Sequence, residues 1–195
     1  MNNAPKYAID ALLSQEQQAY YSFIAMPVFV ISLLSNFIYQ PVLTKIADFI
    51  NQKNYTMFIK EIIKQIEYVL LLTIIVLIGG FLLGIPILSV LYKSDLTAYK
   101  MDLMILLLGG GMYALSNFLI IVLTTIRKQN TLIGIYILVS ILVYFLSNKL
   151  VSLFNITGAA LTYTISMTTV TICCLLLFIF SYNEMRKSND IRSNN

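Results

Sequence analysis

Polar side chains recur at helical spacing within residues 17–44, a stretch of 28 residues without a charged side chain. On a helix that turns about 100° per residue, one side of this stretch collects six hydrogen-bonding groups: Gln18, Tyr21, Ser32, Ser35, Asn36 and Tyr39. The opposite side is apolar, with Phe23, Val30, Leu34 and Phe37. Hydroxyl and amide groups form hydrogen bonds but exchange no protons near neutral pH. The pattern predicts a helix whose polar side faces protein or a hydrated cavity rather than lipid.

A second amide, Asn117, shares a helical face with Tyr113 in a later apolar stretch. Amides are more costly to hide in lipid than hydroxyls, which favours a cavity position for Asn36 and Asn117. Hydrogen bonding between helices explains the same two residues equally well. Both interpretations remain open from the sequence. The candidate cavity-lining and substrate-binding residues of the spans are Ser32, Ser35, Asn36, Tyr39 and Asn117.

Groups that perform acid–base, nucleophilic or metal chemistry are scarce. Histidine is absent from the sequence, which removes imidazole bases and the commonest metal ligand. None of the apolar stretches carries Asp, Glu, Lys or Arg in its middle, so they offer no proton relay of the usual kind. Cys173 and Cys174 are neighbours in an apolar run and are predicted to pack there. Small residues at helical spacing in the last apolar stretch form an edge that predicts close helix packing: Ala159, Thr162, Ser166, Thr169 and Cys173. We expect no enzymatic activity, no metal site and no cofactor.

Composition indicates an all-α integral membrane protein that has the lipid bilayer as its solvent. The chain is 58% hydrophobic and 11% charged, whereas soluble domains carry about 25% charged residues. A bilayer core takes roughly 20 apolar helical residues to cross. Charged residues divide the sequence into about five predicted spans, near residues 19–41, 68–92, 103–126, 130–148 and 157–181. A loop is predicted at residues 152–155, and three consecutive glycines at 109–111 favour close helix approach or a flexible hinge.

Three regions follow from this division. Residues 17–183 form the predicted membrane domain, which contains an amphipathic segment at residues 45–67 that runs on into the second span. Its apolar face consists of Phe58, Ile62, Ile63 and Ile66, and its polar face of Lys60, Glu61, Lys64 and Gln65. Residues 1–16 precede this domain, and residues 184–195 form a polar tail. Pro27 removes one hydrogen bond inside the first span and is predicted to bend it as a hinge.

The distribution of basic residues predicts the orientation. The segment at 45–67, the loop at 127–128 and the tail together hold nine of the 13 Lys and Arg residues, and the opposite side holds four. The positive-inside rule therefore places the C-terminus in the cytoplasm and the N-terminus outside. The net charge of +4 comes without an extended basic run, so we expect no nucleic-acid partner. An external N-terminus with no preceding span leads us to expect that residues 1–16 are the extracellular end of a missing helix.

Several short segments resemble one family of transporters in their order and spacing. Residues 3–10, NAPKYAID, resemble the Pro-Arg/Lys-Tyr-x-Ile-Asp motif that closes the seventh helix of bacterial polysaccharide repeat-unit flippases. Those proteins belong to the multidrug/oligosaccharidyl-lipid/polysaccharide exporter superfamily. The segments that are similar to later parts of that family lie at residues 40–43, 55–64, 84–88 and 155–160.

The resemblance implies a fold and a function. In that family about twelve helices form two lobes around a central cavity, and this chain is similar to most of the second lobe. The implied cargo is an undecaprenyl-diphosphate-linked oligosaccharide, exported across the bacterial plasma membrane by alternating access for surface polysaccharide synthesis. The implied partner is a missing N-terminal lobe.

The resemblance also singles out Lys6, Tyr7 and Asp10, which match the family motif with lysine in place of the commoner arginine. Lysine keeps the charge but loses bidentate phosphate recognition. Two roles remain open for these residues: holding the cargo headgroup at the outer mouth, or ending a helix in an ion pair. For the whole chain, the alternatives are half of a drug–cation antiporter, a non-transporting membrane subunit and a degenerate remnant.

Overall fold

Seven α-helices make up most of the protein in a computed structural model that describes the backbone of residues 4–193 and the side chains of residues 5–187. Within this part the helices are α1 (Ala4–Leu12), α2 (Gln15–Tyr39), α3 (Leu43–Asn51), α4 (Tyr55–Gly79), α5 (Ile85–Tyr92), α6 (Lys100–Thr125) and α7 (Gln129–Ser193). Short 3-10 turns at Gln40–Val42 and Thr97–Tyr99 join neighbouring helices, and a π-helical turn at Gly80–Gly84 joins α4 to α5. The described residues contain no β-strand, which agrees with the predicted all-α class.

Four helical stretches are long and apolar enough to cross a membrane. They are Gln15–Asn51, Tyr55–Tyr92, Thr97–Thr125 and Gln129–Lys187. The first three match the first three predicted spans in order. The fourth covers both of the last two predicted spans, so its path decides how many times the chain changes direction.

The chain reverses inside α7 at a single residue. Asn155 has φ 52° and ψ −126°, which no α-helix contains. The ends of α7 then come back together, because Lys128 Nζ lies 2.7 Å from Glu184 Oε2. α7 is therefore a hairpin, with a first arm at residues 129–154 and a second arm at 156–193. The loop predicted at 152–155 is a one-residue break, and the last two predicted spans are the two arms.

The first turn of α2 is fixed by a reciprocal cap that separates it from α1. The Ser14 hydroxyl accepts a hydrogen bond from the Gln17 backbone N–H at 3.3 Å, and the Gln17 side chain accepts one from the Ser14 N–H at 3.4 Å. This capping box satisfies two donors that a helix start leaves free. Residues 1–16, expected to end a preceding helix, thus contain α1 as a separate short helix in their described part.

α6 is the central helix, and three consecutive glycines let its neighbours approach it. A Cβ on Gly109 would lie 2.8 Å from the Tyr163 ring of α7, and one on Gly110 would lie 3.1 Å from Val28 of α2. A Cβ on Gly111 would lie 2.8 Å from the Thr73 hydroxyl of α4. The sequence favoured close helix approach or a flexible hinge for this triplet. Close approach to three helices at one level is what the structure contains.

Two threonine hydroxyls hold the second arm of α7 against α6. Thr164 Oγ1 donates to the Ile105 carbonyl at 2.8 Å, and Thr171 Oγ1 donates to the Met112 carbonyl at 2.9 Å. In each contact the two residues are separated by 59 positions in the sequence. Because this separation is constant along the contact, the two helices run parallel. The sequence predicted a small-residue edge here, and Thr162 and Ser166 of that edge are fully buried.

α4 begins in the amphipathic segment and continues without a break into the second apolar stretch, as predicted. Phe58 and Ile62 are fully buried on its inner side, also as predicted. Two assignments were wrong, because Ile63 is 48% exposed and Gln65 is 2% exposed. The buried Gln65 side chain donates to Glu61 at 2.9 Å, which keeps one end of the amide paired.

The turn of the α7 hairpin yields a stability prediction. A Cβ on Gly158 would overlap the Leu150 backbone carbonyl, and backbone moves less readily than a side chain. Gly158→Ala should therefore lower the free energy of unfolding by about 1–3 kcal/mol, the usual range for overpacking. The matched control is Gly134→Ala, where a Cβ meets nothing within 4 Å. Thermal unfolding in detergent compares the two, and equal melting temperatures would contradict the close approach.

Candidate functional site

The polar side of α2 faces the protein interior, as the sequence predicted. Tyr21, Ser35 and Tyr39 are 3% exposed or less, whereas Phe37 on the opposite side is 75% exposed. Phe23 was assigned to the lipid side, and that assignment was wrong. Its ring stacks on the Tyr92 ring of α5 with a centroid separation of 4.0 Å. An aromatic partner on a neighbouring helix therefore overrides the position of Phe23 on the helical wheel.

Three of the predicted cavity residues form a hydrogen-bonded link between α2 and α6, which we call the polar clasp. The Tyr39 hydroxyl donates to Asn36 Oδ1 at 2.7 Å. The Tyr39 hydroxyl oxygen in turn accepts a hydrogen bond from Asn117 Nδ2 at 2.7 Å. The Tyr39 ring is fully buried and lies 5.4 Å, centroid to centroid, from Phe118. In the described structure Asn36, Tyr39 and Asn117 thus bond to one another, which is the interhelical interpretation that the sequence left open.

A cavity of about 350 Å³ opens on the other part of the polar side of α2. We call it the tyrosine cavity. It lies between α1, α2, α6 and the second arm of α7. Its lining residues are Lys6, Tyr21, Ala25, Val28, Phe29, Ser32, Leu106, Tyr113 and Tyr163. Two of the predicted site residues, Lys6 and Ser32, are among them.

The hydroxyls in the tyrosine cavity have no partner within the described protein. No side-chain hydrogen bond joins Tyr21, Tyr113, Tyr163 or Ser32 to another described residue. Hydroxyls held in an apolar surrounding are costly unless something pairs with them, so water or a ligand is their natural partner. The cavity combines these neutral donors and acceptors with one ammonium group, that of Lys6. Groups of this kind can contact a ligand through hydrogen bonds and one positive charge.

The motif residues of α1 do not act as a unit. Lys6 lines the tyrosine cavity, whereas Tyr7 lines a separate recess with Tyr144 and Asn148 of α7. Asp10 accepts a hydrogen bond from Gln18 Nε2 at 3.1 Å. Among the described side chains neither Lys6 nor Asp10 forms an ion pair. The ion-paired helix end that the sequence left open is therefore not formed by these two residues.

The remaining predicted residues lie away from the tyrosine cavity. Ser35 is fully buried, and its hydroxyl has no hydrogen-bond partner among the described residues. Pro27 lies inside a continuous α2 and lines a different, apolar surface between α2 and α4. Its role as a hinge stays a prediction.

Sequence reasoning did not select the three tyrosines as site residues. Tyr21 and Tyr113 were already placed on polar faces, so the signal for them was present. Tyr163 lies beside the small-residue edge of α7, and no spacing rule distinguishes it from a packing residue. Its position in the cavity follows from the parallel pairing of α6 with the second arm of α7.

Neither a metal site nor a comparison with known proteins adds to the assignment of a function. Within the described residues no three His, Cys, Asp or Glu side chains lie close enough together to hold a metal ion. Comparison of the chain with family models, curated proteins and solved structures found no match. The interpretation of the site therefore depends on its own geometry and on the sequence resemblance.

The polar clasp yields a second prediction. Tyr39→Phe removes the oxygen that joins Asn36 to Asn117, and interhelical hydrogen bonds of this kind contribute about 1 kcal/mol. We expect a matching loss of stability in thermal unfolding. The control, Tyr113→Phe, removes a hydroxyl that has no such bond and should change stability less. A double-mutant cycle with Asn117→Ala should give a coupling energy of the same size. If the stability losses of the two single variants add up in the double variant, the hydrogen bond between Tyr39 and Asn117 contributes nothing to stability.

Proposed function

We propose that this chain is a multi-pass protein of a bacterial plasma membrane and forms one wall of an export path for lipid-linked oligosaccharide. The observation that carries the proposal is the tyrosine cavity, with its unpaired hydroxyls and the ammonium of Lys6. The four long apolar helical stretches support the membrane location. The sequence resemblance to polysaccharide repeat-unit flippases supplies the cargo class.

The lining of the tyrosine cavity suits a sugar attached to a diphosphate. Tyrosine hydroxyls and Ser32 exchange hydrogen bonds with sugar hydroxyls, and aromatic faces cover the apolar faces of sugar rings. The Lys6 ammonium pairs with phosphate oxygens as a mobile point charge. Hydrogen bonds and one charge contact form no covalent bond with the cargo, which supports reversible binding and hence a transporter.

A second lobe is the partner that the proposal requires. The tyrosine cavity is open on one side, so this chain encloses only part of a bound cargo. Alternating access needs two bodies that rock against each other around a site near the middle of the membrane. We propose that a second lobe faces the polar side of α2 and closes the path.

One observation favours the drug–cation antiporter as a second candidate. Asp102, in the first turn of α6, is only 6% exposed, with Thr157 as its neighbouring polar group. Asp102 lies at the start of the third apolar stretch rather than in its middle, and buried carboxylates in membrane proteins are typical of cation-coupled transport. Asp102 does not line the tyrosine cavity, however. The antiporter therefore remains the second choice.

The proposed function is tested at Lys6 in the native host. Deleting the gene should abolish surface polysaccharide, and the wild-type gene should restore it. Lys6→Gln should restore less, and it should weaken binding of undecaprenyl diphosphate by the purified protein about fivefold, because one lysine–phosphate contact contributes roughly 1 kcal/mol. Lys6→Arg keeps the charge and should retain function.

The matched control for Lys6 is Lys149→Gln, an exposed lysine that does not line the cavity. It should behave as the wild type in both assays. Normal surface polysaccharide in the deletion strain would overturn the flippase proposal. Increased sensitivity of that strain to cationic drugs would instead support the antiporter.

The proposed orientation has its own test. Alkaline phosphatase is active only outside the cytoplasm, so a fusion in the α5–α6 loop, after Ser94, should be active. Fusions after Lys53 and Arg127 should be inactive, because the basic ends lie in the cytoplasm under the positive-inside rule. The reverse activity pattern would contradict the orientation without affecting the helical fold.

A further inference from the structure

A second concave surface lies on the side of α2 that faces away from the tyrosine cavity. This apolar groove has a volume of about 330 Å³ and runs between α2, α4, α5 and α6. Pro27, Val30, Gly79, Leu83, Leu103 and Leu107 are among its lining residues. Every lining residue is apolar, so the groove suits a hydrocarbon chain and offers nothing to a sugar.

The backbone of the α4–α5 junction shapes the apolar groove. The π-helical turn Gly80–Gly84 inserts a wider turn at the groove wall, and such turns are frequent at functional sites. At Gly79 a Cβ would meet nothing within 4 Å, so the absence of a side chain there leaves open space. The groove is consequently a recess that a larger side chain at position 79 would fill.

A lysine lies at one end of the groove. Lys100, Leu103 and Leu107 are spaced at i, i+3 and i+7 on α6 and therefore share one helical face. The Lys100 Nζ lies 3.9 Å from the centroid of the Phe81 ring, which belongs to the π-helical turn. The ammonium thus lies on an aromatic face, and its residue precedes Leu103, which lines the groove, by one helical turn.

Lys100 has no counter-ion among the described side chains, where the single ion pair joins Lys128 to Glu184. The two nearest carboxylates in sequence are engaged elsewhere. Asp95 accepts hydrogen bonds from the Thr97 backbone N–H, at 3.0 Å, and from the Thr97 hydroxyl. Asp102 is buried beside Thr157. A positive charge at the edge of an apolar recess lacks the anion that would balance it.

We propose that the apolar groove and Lys100 together bind one anionic phospholipid, with a fatty acyl chain in the groove and the phosphate on the Lys100 ammonium. The proposal rests on the membrane location proposed above. Charge and shape select this occupant, because a phospholipid joins a phosphate to a hydrocarbon chain as the site joins a lysine to an apolar recess. The lipid-linked cargo is not the occupant. Its proposed headgroup site is the tyrosine cavity, and α2 lies between the two surfaces, with Ser32 lining the cavity and Val30 lining the groove.

Native mass spectrometry tests the proposal. The purified full chain is exchanged into detergent that contains equal amounts of phosphatidylglycerol and phosphatidylcholine, and the retained lipid is measured. The wild type should retain one phosphatidylglycerol in preference to phosphatidylcholine. Lys100→Gln should reduce that preference about fivefold, which corresponds to roughly 1 kcal/mol for one lysine near a phosphate. Gly79→Leu should reduce retention of both lipids, because it fills the groove. Lys93→Gln, an exposed lysine at the end of α5, is the matched control and should keep the preference.

Two outcomes would overturn the proposal. They are equal effects of Lys100→Gln and Lys93→Gln on the lipid preference, and unchanged retention of both lipids in Gly79→Leu. Circular dichroism and melting temperature show whether Gly79→Leu is folded, and Val30→Trp fills the groove from α2 if it is not. Resistance of the protein to carbonate extraction from membranes tests the location separately. A protein that resists extraction but lacks lipid preference therefore refutes only this proposal.

Discussion

Close contact at three glycines of α6 is the constraint on which the rest of the structure depends. A Cβ would overlap α7 at Gly109 and α4 at Gly111, and at Gly110 it would crowd α2. Association of helices within lipid gains nothing from the hydrophobic effect, so dispersion at short range has to hold them together. Three contacts at one level of one helix give the bundle a common centre.

Both concave surfaces follow from that centre. Because α2 and α7 are held against neighbouring faces of α6, Tyr21, Tyr113 and Tyr163 line the same cavity. Gly80 and Gly84 lie against Leu107 and Leu103 of α6, and all four residues line the apolar groove. α2 separates the two surfaces and gives each one side: Ser32 lines the cavity, and Val30 lines the groove. A polar and an apolar surface thus share one helix.

The sequence predicts the helices well because their signals are local. Runs of apolar residues predicted the long helical stretches. Helical periodicity predicted which side of α2 faces inward, and Ser35 is buried and Phe37 exposed as expected. Predictions failed where the partner is distant in sequence. Phe23 is turned inward by Tyr92, and Tyr163 enters the site only through the register of α7 on α6. The one-residue reversal at Asn155 and the π-helical turn at Gly80–Gly84 depend on backbone detail that composition does not encode.

The threonines between α6 and α7 have a mechanical consequence. Thr164 also donates to the Ala160 carbonyl of its own helix at 3.0 Å, and Thr171 does so to Met167 at 2.8 Å. Each hydroxyl is therefore shared between an intrahelical and an interhelical acceptor. If the second arm of α7 moves away from α6, each threonine hydroxyl keeps its hydrogen bond to the carbonyl of its own helix. No hydroxyl is then left without an acceptor. The shared hydroxyls therefore link the two helices and would still have an acceptor after a small displacement, which hydroxyls bonded only between the helices would lose.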